Sequence, residues 1–153
     1  MTDCSLYLHI PFCEKKCAYC DFVSYPGQSS LIGRTLRAML SEMRAQASRY
    51  PNRLIRTLYV GGGTPSLLSG EQMRELLDGA REAFEVAPGA ECTTEANPGT
   101  VDLAKLTAYR SAGINRISFG AQARQPRLLR LLGRIHTWEQ AREAVLAANT
   151  AGF

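Results

Sequence analysis

The chain has 153 residues, 45% hydrophobic and 21% charged, with a formal net charge of +4. That suits one globular domain burying roughly two-thirds of its unfolded surface, and it excludes a bilayer-spanning helix, since no apolar run nears the ~20 residues required. The mild charge alone does not indicate a nucleic-acid protein, and five cysteines, three of them in one short loop, argue against an oxidised secreted framework and for a reducing cytoplasm.

Met1-Thr2-Asp3-Cys4 is expected to enter a strand almost at once, with no leader ahead of it. The apolar, β-prone run Ser5 to Ile10 ends at Pro11, and a loop follows that carries Cys13, Cys17 and Cys20. Cys-x3-Cys-x2-Cys leaves one sulfur over however the others pair. A structural zinc site usually closes four ligands. Iron–sulfur clusters are also held by thiolates, normally one cysteine per iron in a four-iron cluster. Three cysteines therefore imply a [4Fe–4S] cluster with one iron free of protein ligands, and an open position is where a metal site does chemistry. The competing readings are three incidental thiols, or a zinc loop with His9 as fourth ligand. Spacing, aromatic flanks and placement at a strand end favour the cluster.

From about Leu31 to Ala47 the residues Leu36, Met39, Leu40, Met43 and Ala47 form one apolar stripe at helical spacing, ended by Tyr50-Pro51-Asn52. Leu54 to Val60 reads as a buried strand running into Gly61-Gly62-Gly63-Thr64-Pro65-Ser66. Ser69 and Gln72 stand in capping-box register ahead of a helix with Met73, Leu76, Leu77, Ala80 and Phe84 inward. Pro88-Gly89 turns the chain, and Glu91 to Ala96 is a third strand closed by Asn97-Pro98-Gly99. Leu103, Leu106 and Arg110 line a third helix that ends at Gly113, where a left-handed cap suits glycine. Asn115 to Phe119 is a fourth strand, and Pro126 to Leu132 a short helix. Thr137 with Gln140 caps a last helix with Ala141, Ala144, Val145 and Ala148 inward.

Strand and helix alternate with no hairpin signals, so the fold class is α/β with a parallel sheet. The Gly, Pro, Cys and polar peculiarities fall in the loops after strands, where parallel α/β folds build ligand sites.

The cysteine spacing after a strand resembles the radical S-adenosylmethionine (radical SAM) superfamily. Tyr7-x-His9-Ile10-Pro11-Phe12-Cys13 with Tyr19-Cys20-Asp21-Phe22 is similar to the branch of HemW-type heme chaperones and oxygen-independent coproporphyrinogen III oxidases. The oxidases typically carry a further cysteine where Phe22 stands, so the resemblance leans to the chaperones. It implies the first four β–α units of a partial (β/α)6 barrel, covering residues 1–153 and stopping before a fifth strand, with a C-terminal domain beyond. It also implies a [4Fe–4S] cluster on Cys13, Cys17 and Cys20 whose open iron binds SAM, cleaved reductively to methionine and a 5′-deoxyadenosyl radical.

The same resemblance implies SAM contacts. Gly62, Gly63 and Thr64 of the GGGTP segment meet its amino group, Glu95 and Gln122 its ribose or adenine, and Arg134 its carboxylate. Tyr7 and Phe22 complete the cofactor-binding set. Taken alone, the glycines could be a plain turn, Glu95 a solvated rim charge and Tyr7 a core residue. Members usually show Gln-Ser-Phe where Ala123-Arg124 follows Gln122, a departure on the loop's substrate side. His9 and His136 read as hydrogen-bonded structural histidines, and Cys4 and Cys92 as buried thiols. Arg124, Arg127, Arg130, Arg134 and Arg142 are the one basic concentration. Apart from Arg134 they read first as a solvated face, then as partners for porphyrin propionates, and last as an RNA surface, for which stacking aromatics are absent. The partners implied are SAM and a heme or porphyrinogen; no electron donor is legible. A heme carrier, a decarboxylating oxidase and an inactive fragment are the three functional expectations.

Overall fold

The structure, a computed structural model, describes residues 2–153; Met1, counted in the expected domain, lies outside the described residues. The chain runs β1 (Thr2–Ile10), β2 (Phe12–Cys13), β3 (Tyr25–Pro26), α1 (Ile32–Arg49), β4 (Arg53–Gly62), α2 (Gly70–Ala83), β5 (Glu85–Ala96), α3 (Leu103–Ala112), β6 (Arg116–Phe119), α4 (Pro126–Leu131) and α5 (Trp138–Thr150). Four strands form one parallel sheet in the order β1-β4-β5-β6. The α/β class and the helical crossovers follow the expected alternation.

Local chemistry sets the helix ends. Before α2, Ser69 Oγ accepts from the Gln72 amide at 3.1 Å while the Gln72 side chain accepts from the Ser69 amide at 2.9 Å. Thr137 and Gln140 form the same reciprocal pair before α5, at 3.2 and 2.9 Å. Gly113 ends α3 at φ 110°, the left-handed backbone its lack of a Cβ permits.

One face of the sheet carries Leu8, Ile10, Leu58, Val60 and Cys92 against Leu36 and Met43 of α1, Met73, Leu76, Leu77 and Ala80 of α2, and Tyr109 of α3. Burying each large apolar side chain contributes about 2–3 kcal/mol relative to exposure. Tyr109 is fully buried and its hydroxyl donates to the Leu68 carbonyl at 2.6 Å, so its polar tip is satisfied. Burial pushes its pKa well above the usual phenol range.

Several expectations need correction. β5 starts at Glu85, not after Pro88-Gly89. Ile55 pairs with Val86 but Thr57 with Glu91, so residues 87–90 leave the ladder around Gly89 at φ 74°, and the turn is an excursion inside one strand. The inner face of α3 is Leu106, Tyr109 and Ala112, while Leu103 and Arg110 are exposed. On α5, Ala141, Ala144 and Ala148 are buried but Val145 is exposed. Cys4 is only half-buried, since β1 lies at a sheet edge. Cys92 is buried, and burial pushes its thiol pKa up. The short ladder of Phe12 with Tyr25 and Cys13 with Pro26 had no sequence signal, because two residues carry no periodicity.

Candidate cluster and cofactor site

In a parallel sheet the strands' carboxyl ends lie at one edge, and the segments beyond them surround a cavity of about 260 Å³. The segment after β1 contributes Cys13, Cys17, Cys20 and Phe22, that after β4 contributes Gly63 and Thr64 beside Gly62, and β5 ends there with Glu95. Gln122 after β6 and Arg134 after α4 complete the wall. Ten of the eleven expected site residues thus share one cavity.

Tyr7 does not. It borders a separate cavity of about 320 Å³ along β1 and α1. Its hydroxyl bonds His9 Nδ1 at 2.8 Å and its ring stacks on Tyr59, centroids 6.1 Å apart. It connects to the site through His9, which lies against Gly62, and through Tyr59, whose hydroxyl donates to Glu95 Oε1 at 2.8 Å. His9 Nε2 also bonds the Val23 carbonyl, at 2.9 Å. With both ring nitrogens engaged within the protein, His9 is no fourth ligand for zinc.

The glycines serve the thiol loop first. Gly63 N–H donates to the Ile10 carbonyl at 2.8 Å and Thr64 N–H to the Phe12 carbonyl at 2.7 Å. A Cβ on Gly63 would lie 2.6 Å from that Phe12 oxygen and 2.9 Å from Cys13 Sγ, and Gly62 stands at φ 115°. Only glycine lets the two backbones approach so closely. Thr64 Oγ1 donates to Cys13 Sγ at 3.4 Å. That places the hydroxyl beside the sulfur, whereas the sequence had suggested a ligand amine.

Glu95 is half-buried and accepts from Tyr59 and from Gly62 N–H, the latter at 3.3 Å. A carboxylate offers about four acceptor positions, so capacity remains for a ligand hydroxyl. Burial, and then the bond to Glu95, push the Tyr59 pKa up to about 12, which keeps it a neutral donor. Gln122 stands at φ 65°, a left-handed conformation uncommon for a residue with a side chain; such strain clusters at functional sites.

Arg134 spans the cavity. One guanidinium nitrogen donates to the Gly120 carbonyl at 2.6 Å and another to Cys17 Sγ at 3.4 Å. A Cβ at Gly120 would sit 3.0 Å from that guanidinium, so the glycine leaves it room. Nε of Arg134 is buried with no hydrogen-bond partner among the described residues. An orphaned cationic donor is costly, and the guanidinium that carries it lines the cavity, where a bound carboxylate would pair with it.

The residues fit a cluster and a cosubstrate that bears a carboxylate. Three thiol residues line one cavity, the Arg134 guanidinium lines it too, and glycine supplies close backbone. Among the described residues no three His, Cys, Asp or Glu side chains gather as around a single metal ion. Thiolates bound to separate irons of one cluster stand further apart than the ligands of one ion.

Sequence reading missed the support behind the site. Ser66 Oγ accepts from Asn97 N–H at 3.0 Å and bonds Thr100 Oγ1 at 2.5 Å, while Lys105 Nζ donates to the Ser66 and Thr100 carbonyls at 3.0 and 2.9 Å. This network ties the loop after β4 to the loop after β5. Burial lowers the Lys105 pKa. Nothing local marks this lysine, because its partners come from two other loops. His136 is a structural histidine, with Nε2 bonding the Ala121 carbonyl at 3.1 Å and its pKa lowered by burial.

The sequence profile described as Radical SAM superfamily matches residues 7–153. The chain is 42% identical to the heme chaperone HemW of Escherichia coli strain K12 over 150 residues, which is 97% of this chain and 40% of that protein. It is 38% identical over 150 residues to the heme chaperone HemW of Bacillus subtilis strain 168, again 40% of its length. The chain therefore spans about 40% of the length of these relatives. The solved coproporphyrinogen III oxidase (HemN) from Escherichia coli, described as a radical SAM enzyme, superposes with a TM-score of 0.92 at 32% identity, over 99% of this chain and 35% of that one. Methylornithine synthase (PylB) superposes at TM-score 0.60 and 15% identity, a likeness of fold alone.

Proposed function

The chain belongs to the radical SAM superfamily, and from that premise we propose that its pocket holds a [4Fe–4S] cluster and SAM within a HemW-type, heme-binding and heme-transferring protein. Membership implies the cluster and SAM; the residue assignments and the heme role are this proposal. One observation carries it: three thiols, the glycine loop, Glu95 and the Arg134 guanidinium line one cavity at the strand ends.

Cys13, Cys17 and Cys20 hold the cluster, which when bound supplies the electron for reductive cleavage of SAM. Arg134 orients the SAM carboxylate through its guanidinium. Gly62 and Gly63 offer backbone to its amino group, and Glu95, held by Tyr59, accepts from a ribose hydroxyl. Gln122 donates and accepts at the ribose or adenine. Phe22 adds an apolar wall where the oxidase branch has another cysteine, which favours the chaperone reading. Among the described residues no helix is long and apolar enough to cross a membrane, and the free thiols suit a cytoplasmic setting.

The second reading is a radical oxidative decarboxylation of coproporphyrinogen III, favoured by the superposition on the Escherichia coli oxidase. Heme titration beside a coproporphyrinogen turnover assay separates the two. Stoichiometric heme binding without turnover is expected, and product formation reverses the preference. Anaerobic reconstitution with iron and sulfide should give a broad visible absorption that Cys17→Ala abolishes. Uptake of zinc and no iron would sink both readings.

A further inference from the structure

Between Asp102 and Glu139 the sequence contains no carboxylate side chain, while Arg124, Arg127 and Arg130 cluster in its second half. These arginines are exposed, and none is in an ion pair among the described residues. α4 buries only Leu129. Leu131 is 72% exposed, the most exposed large apolar side chain among the described residues, with Leu128 also exposed. Arg127, Arg130 and Leu131 share one helix face at i, i+3 and i+4.

This surface adjoins the thiol loop. Ala18 N–H donates to the Leu132 carbonyl at 3.0 Å. A Cβ on Gly133 would stand 3.2 Å from Ala18 N and 3.6 Å from Cys17 Cα, so the backbone leaving α4 packs against the backbone of Cys17. The loop's own charges cancel, Glu14 and Asp21 against Lys15 and Lys16. The local cationic excess therefore comes from the α4 segment.

We propose that α4, with Arg124, Arg127 and Arg130 around Leu128 and Leu131, docks an acidic electron-carrier protein beside the cysteine loop. The inference rests on the cluster reading above and names the partner of that site. Apolar anchors inside a charged rim are how protein interfaces are built, and rim cations steer an acidic partner into encounter. The docked carrier is oxidised by one electron and the cluster reduced by one, with no bond made or broken. Residues 120–135 contain no aromatic side chain, so RNA lacks a stacking platform there.

The test is a calorimetric titration of cluster-loaded protein with an acidic plant-type ferredoxin at low and raised ionic strength, with iron content and SAM affinity measured on every sample. R127E/R130E should weaken binding about tenfold or more and flatten its salt dependence. R127Q/R130Q should weaken it several-fold, and the equally exposed pair R34E/R37E on α1 should leave it unchanged. Ferredoxin binding that ignores the α4 charges, or no binding at all, overturns the docking surface. So does a variant that loses RNA or heme binding while keeping ferredoxin. If a loaded, SAM-competent protein gives any of these results, only the surface falls. If no cluster forms, the cluster reading falls and takes the surface with it.

Discussion

The two faces of the sheet are held by different physics. Toward α1–α3 lie Leu8, Ile10, Leu58 and Val60, each almost inaccessible to water and satisfied by any well-packed neighbour. On the alternate positions stand Tyr7, His9, Tyr59 and Glu95, linked hydroxyl to ring nitrogen and hydroxyl to carboxylate, with Tyr7 half exposed. The apolar face gains free energy in proportion to area, whichever residues supply it. The polar face gains little stability per bond but fixes particular atoms in place. Stability and site geometry are thus largely divided between the two sides of the same strands.

The largest effect should come from the apolar side. Leu76→Ala removes a fully buried side chain and should lower unfolding free energy by about 3 kcal/mol in a urea titration, leaving SAM affinity of the folded fraction intact. A parallel loss of affinity would break the division. Gly63→Ala tests where the faces meet. The added Cβ collides with backbone rather than a flexible side-chain tip, so a cost of about 2 kcal/mol is expected, together with reduced iron incorporation. Unchanged iron content would show that the close approach is dispensable. Tyr59→Phe removes one bond to Glu95. It should cost about 1 kcal/mol or less in stability, yet loosen the carboxylate and weaken SAM binding several-fold in an equilibrium titration.

The smallest effect concerns pH. Burial, opposed by the Ala121 carbonyl and reinforced by Arg134, holds the His136 pKa below its ordinary value. The unfolded imidazole takes up a proton near pH 6.5 and the folded one only lower. Stability is therefore intact above that range and declines as pH falls through it toward the lowered folded value. Urea midpoints at about pH 7.5 and about pH 5.5 should draw closer in His136→Gln. An unchanged gap would assign the acid sensitivity elsewhere.

What the sequence disclosed follows the same division. Caps such as Ser69 with Gln72, and stripes such as Met73-Leu76-Leu77-Ala80, are local patterns readable within a few residues. The thiol spacing is local as well. Pro88-Gly89 misled because a turn signal does not say whether the chain resumes the same strand. Leu103 and Arg110 match the helical spacing of Leu106 yet face outward, because the inward face, Leu106, Tyr109 and Ala112, is decided by α2 packing against it. The network around Lys105 and the approach of Gly63 to Phe12 are contacts between distant segments, and composition is silent about those. Tyr7 enters the expected site through the resemblance alone, and the structure stacks it on Tyr59, on the sheet face that also carries Glu95.

Because the amides of Gly63 and Thr64 are already bonded to the carbonyls of Ile10 and Phe12, Cys13, the first of the three thiols proposed for the cluster, is anchored by main chain at folding. Cys13 is buried there, whereas Cys17 and Cys20 are more open. Much of the ordering cost is therefore met at folding rather than at assembly. In the metal-free protein an alkylating probe should reach the two outer thiols first and leave the anchored one for last.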